Sequence, residues 1–221
     1  MSNNILIGVD ECGWGSIAGP FIVCAAAAYA KDLPKITARD SKRYQNNVAK
    51  MSKAVSVNKQ YVIASHIITF DPERLCGLGY ESAKRYAFKA AVHCLRRTLA
   101  PRFPPAIIDG ADSFSIPYAS SMVKADDKCR IVSYASVVGK LQQKLHMAVA
   151  HRLCPEYKFL NNAGYGTKDH LSAIEKHGAI AGFHRMRVVA QMFKNRGLNL
   201  FPRDDVKGFI KSKHSHQRKD K

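Results

Sequence analysis

The sequence predicts an α/β protein. Short apolar runs at residues 5–9, 21–29, 61–70 and 106–109 read as strands, and the second has so little polar alternation that both its faces must be covered. Long segments at 80–99 and 131–153 repeat their apolar residues at helical spacing instead. Two of the strands end in acid followed by glycine-bearing turns, at Asp10-Glu11-Cys12-Gly13 and at Asp109-Gly110. The carboxyl ends of strands are where sheets of this class bind ligands.

Along the first strand, Asp10 and Glu11 follow one another directly. Successive strand side chains point to opposite faces, so both acids reach one site only if Glu11 lies past the regular strand, in the bend. Gly13 and Gly15 permit that bend and leave backbone N–H groups open to a ligand. Two acids buried without compensation are costly, which points to a bound cation; the alternative is a solvated acidic turn. Residues 31–44, interrupted by Pro34, form a loop whose Arg39-Asp40-Ser41-Lys42-Arg43 cluster either grips a phosphate or is simply solvated. A short helix is expected over 46–57. Asp71-Pro72 ends the third strand and suits the opening of a helix.

The helix over 80–99 turns Ala83, Ala87, Ala91, Cys94 and Leu95 inward, with Lys84, Lys89, Arg96 and Arg97 as polar neighbours, and prolines at 101, 104 and 105 close it. Taken alone, Asp109-Gly110 is a plain turn. Residues 120–124 are a candidate strand. Asp126 and Asp127 stand just before the 131–153 helix, where a capping or dipole role competes with any chemistry. That helix carries an apolar stripe of Tyr134, Val137, Val138, Leu141, Leu145 and Ala148, with Lys140, Gln143, Lys144 and His151 off it. In the glycine-rich loop at 161–167, Tyr165 is either anchored in the core or offered as a stacking surface. Helices are expected over 168–176 and 184–195, the latter carrying Arg185, Arg187 and Lys194.

Charge narrows the partner. The 221 residues hold 35 Lys+Arg against 17 Asp+Glu, a net +18, which favours a polyanion and above all nucleic acid. The six cysteines form no C-x-x-C pair, so a zinc ribbon is not expected and a reduced, cytoplasmic protein is. No basic segment opens the chain as in a signal peptide. The longest apolar run, 17–30, is broken by Gly19 and Pro20 and falls short of the about 20 residues that cross a bilayer, so no membrane association is expected. One catalytic domain is expected over 1–200, with a basic tail over 201–221 that adds non-specific nucleic-acid affinity. A monomer is the default, since there is no coiled coil or extra domain.

These motifs in this order resemble the ribonuclease HII family of type 2 ribonucleases H. The family's D-E-x-G-R-G-x-x-A-G-P segment is matched by Asp10 to Pro20, and its D-S-K loop by Asp40-Ser41-Lys42. Its I-D-G strand end is matched by Ile108-Asp109-Gly110, and its acid before an S-x-A-S helix by Asp126 and Ser133-Tyr134-Ala135-Ser136. Its G-Y-G-T loop is matched by residues 164–167 and its late H-R pair by His184-Arg185. The resemblance implies a ribonuclease H-like fold: a mixed five-stranded sheet flanked by helices, with a helical C-terminal segment. It implies two divalent metal ions, Mg²⁺ or Mn²⁺, held by Asp10, Glu11, Asp109 and Asp126, with Asp127 the weaker fourth candidate. Such ions clamp the attacking water and the leaving oxygen of a phosphodiester, giving 3′-hydroxyl and 5′-phosphate ends.

The implied substrates are RNA–DNA hybrids and duplex DNA with embedded ribonucleotides. Gly13, Trp14 and Gly15 would meet the 2′-hydroxyl through backbone groups, Tyr165 the sugar and Lys42 a phosphate. Three positions depart from the family pattern. Trp14 replaces an arginine, Ala125 a glycine, and Ala163 the basic residue before the tyrosine loop. Two other functions compete: a catalytically weak nucleic-acid-binding protein of this fold, and a ribonuclease H-fold DNA nuclease or resolvase.

Overall fold

A computed structural model describes residues 4–44, 47–198 and 202–203, so the expected basic tail over 201–221 lies, apart from residues 202 and 203, outside the described residues. The described residues divide into two compact units: those within 1–14, 21–69 and 81–145 form the first, and those within 15–20, 70–80 and 146–203 the second.

The first unit is organised on a five-stranded sheet of order β3-β2-β1-β4-β5. Strand β1 (Ile5–Cys12) pairs antiparallel with β2 (Phe21–Tyr29) and parallel with β4 (Ala106–Asp109), which is itself parallel to β5 (Ala119–Met122). Strand β3 (Ala64–Phe70) lies outside β2. Eight of the nine residues of β2 are buried, as its apolar run predicts. Helices α1 (Val48–Asn58), α3 (Tyr80–Thr98), α4 (Ala125–Lys128) and the first part of α5 (Arg130–Leu153) complete this unit. Asn47 caps α1 by accepting from the Lys50 N–H.

Helix α5 comes close to the sheet because Gly8, rather than Gly139, allows it. A Cβ on Gly139 would stand 3.7 Å from the Cys12 Cβ and 3.8 Å from that of Cys24, an ordinary contact. A Cβ on Gly8 would stand 2.5 Å from the Val132 backbone nitrogen, which no side chain tolerates. Only glycine at position 8 lets the first turn of α5 lie on β1.

The second unit holds α2 (Pro72–Leu78), the end of α5, α6 (Phe159–Asn162), α7 (Lys168–His177) and α8 (Met186–Lys194). It also holds a two-stranded parallel pair, β6 (Ala179–Ile180) with β7 (Pro202–Arg203). Asp71 caps α2 and Thr167 caps α7, each with its side chain. The core joins Ile17, Met147, Tyr157, Phe159, Leu171, Ile174, Val189 and Phe193. Among the described residues no helix is long and apolar enough to cross a membrane.

Four expectations change. Strand β1 does not stop at Val9 but continues through Cys12, with Glu11 opposite Val23 of β2. The single stripe on α5 fails because every residue from 131 to 137 is buried, so its N-terminal turns are enclosed all round. Further along, Leu145 is 48% exposed while Gln143 is fully buried, its amide oxygen accepting from Lys140 at 2.8 Å and from the Cys12 thiol at 3.1 Å. Arg96, expected among polar neighbours, is buried: its guanidinium serves the carbonyls of Pro104, Pro117 and Tyr118 and stacks 4.1 Å from the Phe103 ring centroid. Arg185 precedes α8 and is wholly buried, donating through Nε to the Gly19 carbonyl at 3.3 Å.

Candidate active site

The parallel register of β1 and β4 pairs Val9 with Ile108, so the next residue on each strand is an acid: Asp109 ends β4, and Asp10 stands beside it on β1, two residues before that strand ends. Asp109 accepts the Ala125 N–H at 2.6 Å, which ties the start of α4 to the end of β4 and sets Asp126 beside it. The Ser133 hydroxyl, on the first turn of α5, donates to the Asp126 carbonyl at 2.6 Å and holds that turn in place. Asp126 is buried, whereas Asp127 points outward and lies 3.7 Å from Arg43. Of the two, Asp126 is the one that stands with Asp109.

These carboxylates feel one another. Burial pushes Asp10 up to about 8; the Ser136 hydroxyl bonded to it pulls the other way, while the charges of Asp109 and Glu11 add to the rise. Asp126 is raised as well, by burial first and then by the charges of Asp109 and Asp40. Glu11 is held differently. It follows Asp10 within the regular strand, and its Oε2 accepts the Trp14 N–H at 3.2 Å. One backbone donor of the glycine turn is thus engaged by Glu11 rather than open to a ligand, contrary to the simple expectation for that turn.

Lys42 reaches this cluster, with Nζ 3.4 Å from Asp126 Oδ2 and 3.5 Å from Asp40 Oδ2. Burial works against the ammonium, but the Asp126 and Asp40 carboxylates prevail and hold Lys42 above its ordinary range. Asp40 is the residue that sequence reasoning passed over as a ligand neighbour. It is buried and accepts the Lys42 N–H at 3.0 Å, and its spacing two residues before a lysine was the available signal.

Among the described residues, no three His, Cys, Asp or Glu side chains are already drawn around a point that would hold a metal ion. The donor chemistry nonetheless fits one. The donors are hard carboxylate oxygens whose charges oppose each other at a strand end, and an ammonium already lies against Asp126. Soft or nitrogen donors are not part of this set, which favours Mg²⁺ or Mn²⁺ chemistry over zinc.

In the second unit, the loop bearing Tyr165 is built on a left-handed Ala163 and on Gly164 at φ +85°. The Ile17 and Ala18 N–H groups both donate to the Gly164 carbonyl, at 2.8 and 3.0 Å, and a Cβ on Gly164 would collide with the Ala18 carbonyl oxygen. A Cβ on Gly15 would stand 3.9 Å from the Tyr165 ring, so the last glycine of the turn faces the tyrosine. Tyr165 is 39% exposed, which favours the stacking surface over the core anchor.

Its backbone is set from inside by two buried histidines. The Ile180 N–H donates to His184 Nδ1 at 2.9 Å, so the hydrogen of this imidazole sits on Nε2. That nitrogen faces His170 Nε2 at 3.1 Å, and His170 Nδ1 in turn donates to the Tyr165 carbonyl at 2.8 Å. Burial, with the neighbouring His170, pushes His184 down to about 3, and burial lowers His170 too; both rings are neutral at physiological pH. Nothing in the sequence except the His-Arg pair at 184–185 hints at this relay.

Comparison with known proteins agrees with the motif order. The family model described as Ribonuclease HII matches residues 7–195. A ribonuclease HII of Hydrogenovibrio crunogenus is 31% identical over 186 residues, covering 84% of this chain and 86% of the relative. One from Neisseria meningitidis is 34% identical, covering 80% and 89%. In three dimensions the chain is similar to ribonuclease H2 from Pyrococcus horikoshii, at 21% identity and a TM-score of 0.69 over 87% of this chain and 98% of that one. It is also similar to Bst-RNase HIII in complex with Mn²⁺, at 17% identity and a TM-score of 0.62 over 84% and 67%. The mixed five-stranded sheet with its flanking helices is thus a ribonuclease H-like fold, and the chain belongs to the ribonuclease HII family, as a type 2 ribonuclease H that acts as an RNA–DNA hybrid endonuclease.

Proposed function

We propose that this endonuclease also nicks duplex DNA at embedded ribonucleotides, and that Asp10, Glu11, Asp109 and Asp126 hold two divalent ions, Mg²⁺ or Mn²⁺, at the strand ends. When bound, the ions supply positive charge to the attacking and leaving oxygens of the phosphodiester. Asp10 and Asp109, side by side on β1 and β4, set the position of that charge; Asp126 closes it from α4. Glu11 joins it to the Gly13–Gly15 turn through the Trp14 N–H. Lys42 offsets the charge of the acids and approaches the phosphate. Tyr165, half-exposed and facing Gly15, packs on the sugar at the junction. The products are a 3′-hydroxyl and a 5′-phosphate. A Mn²⁺-bound fold relative is consistent with a divalent ion in this role.

The observation that supports this best is the placement of Asp10 beside Asp109 on neighbouring strands, with Asp126 brought next to Asp109 from α4; burial raises Asp10 and Asp126, and the charge of Asp109 raises each further, a strain that a divalent cation relieves. The test uses three labelled duplexes with Mg²⁺ and then Mn²⁺: all DNA, DNA with one ribonucleotide, and RNA–DNA hybrid. Cutting at the single ribonucleotide, lost in Asp109→Asn, is the expected result. Cutting of the hybrid alone would limit the activity to long hybrids, and binding without any cutting would favour a nucleic-acid-binding role. The single catalytic domain over 1–200, the auxiliary basic tail and the monomeric state belong to this proposal, and gel filtration tests the last.

A further inference from the structure

We propose that Lys84 is a phosphate-binding residue of the substrate site, held beside the Gly13-Trp14-Gly15 turn by the Trp14 ring. The inference rests on the proposed placement of the substrate at that turn.

The Lys84 ammonium lies 4.7 Å from the centroid of the Trp14 ring and 6.0 Å from that of Phe114. Both rings are fixed. Trp14 meets the buried Phe21 edge-on at 5.1 Å, and Phe114 stacks on the buried Phe88 at 4.4 Å. Lys84 itself springs from α3 between the buried Ala83 and Ala87, and its side chain is half-buried. A long side chain is thus held in one place without a carboxylate: among the described residues no acid lies within ion-pair distance of it. Aromatic faces attract the cation but take up none of its three N–H donors in ordinary hydrogen bonds. Those donors are available to an oxyanion.

The neighbourhood calls for one. The acids at the ends of β1 and β4 repel a polyanion, so a phosphate arriving there needs cations on its flanks. Lys42 is already matched by Asp40 and Asp126. Lys84 is not matched, and it stands over the residue whose backbone N–H bonds Glu11. Where the family's turn carries an arginine, this chain has tryptophan and returns the charge from a different element, α3. The ligand class is a phosphodiester of the bound strand.

The test is hybrid binding by fluorescence anisotropy in EDTA across a KCl series, alongside steady-state cleavage with Mg²⁺, for wild type, Lys84→Met, Lys84→Arg and Trp14→Ala. Loss of one phosphate contact lowers the slope of log Kd against log salt by about 0.9. Lys84→Met is expected to show that drop, with its loss of activity falling in KM more than in kcat, and Lys84→Arg to restore the slope. In a Trp14→Ala background the effect of Lys84→Met should shrink, since the ring no longer holds the ammonium. An unchanged salt slope in Lys84→Met, or a melting temperature that falls without any change in slope, overturns the proposal. The expected drop in slope for Lys84→Met, together with a wild type that binds hybrid yet does not cut it, would overturn the placement of the chemistry instead, so the two failures are distinguishable.

Discussion

Replacing Asp10 by asparagine should make the metal-free protein more stable while removing its activity. Burial and neighbouring charge push Asp10 up to about 8 in the fold, whereas an unfolded aspartate titrates near about 3.9. An acid raised in this way contributes fully below the unfolded value and loses that contribution as pH climbs towards the folded one. At about 1.4 kcal/mol per pH unit, the metal-free fold at pH 7.5 bears a penalty of roughly 4–5 kcal/mol from this group. Asparagine keeps the shape and can still accept the Glu11 N–H, bonded at 2.7 Å in the native chain. Burying its amide costs on the order of 1–3 kcal/mol, which leaves a net gain of about 1–4 kcal/mol. For a chain of this size, at about 2–4 °C per kcal/mol, that raises the melting temperature by several degrees. At pH 5 the penalty on the wild type shrinks to about 1.5 kcal/mol and the gain should vanish. Differential scanning calorimetry of both proteins in EDTA, at pH 7.5 and pH 5, measures this, and a hybrid-cleavage assay confirms the lost activity. A variant that melts at or below the wild type at pH 7.5, or a gain that persists unchanged at pH 5, refutes the reasoning. The confirmed result would mean that the site holds like charges together at the expense of stability, as functional sites commonly do.

Three further outcomes follow from the packing. Gly8→Ala pushes a Cβ to 2.5 Å from the Val132 nitrogen, so α5 must lift from β1; a loss of about 3 kcal/mol in a urea melt is expected, with cleavage reduced because Ser133 and Ser136 move too. Gly164→Ala combines φ +85° with a collision against the Ala18 carbonyl and should cost at least about 2 kcal/mol; an unaltered melting temperature would show that the loop is not held as described. His184, pushed down to about 3 in the fold, stays neutral while its unfolded counterpart protonates below about 6.5, so this group takes stability from the wild type as pH falls from 7.5 to 4.5, against the gain from Asp10. That loss is about 3 kcal/mol, and His184→Gln, compared at the two pH values by urea unfolding, should lack this part of it.

Much of this protein was legible in one dimension. Strand β2 appears with the bounds its apolar run predicts, and β4 ends on the expected Asp109, because a buried strand must be apolar along its length and stops where polar residues and glycine take over. The Asp71-Pro72 helix start and the long helices near 80–99 and 131–153 follow from local rules of capping and periodicity. The order of short motifs was enough to point to the family. Other features could be settled only by the tertiary structure, because they depend on what lies across space. Register decides that Asp10 and Asp109 stand together, and pairing with β2 decides that Glu11 stays in the strand rather than the bend. Enclosure on every side hides the stripe of α5, and the carbonyls offered by residues 104, 117 and 118 draw Arg96 inside. The meeting of Lys84 with Trp14 and the histidine relay behind Tyr165 join residues far apart in sequence, and no local propensity encodes such contacts.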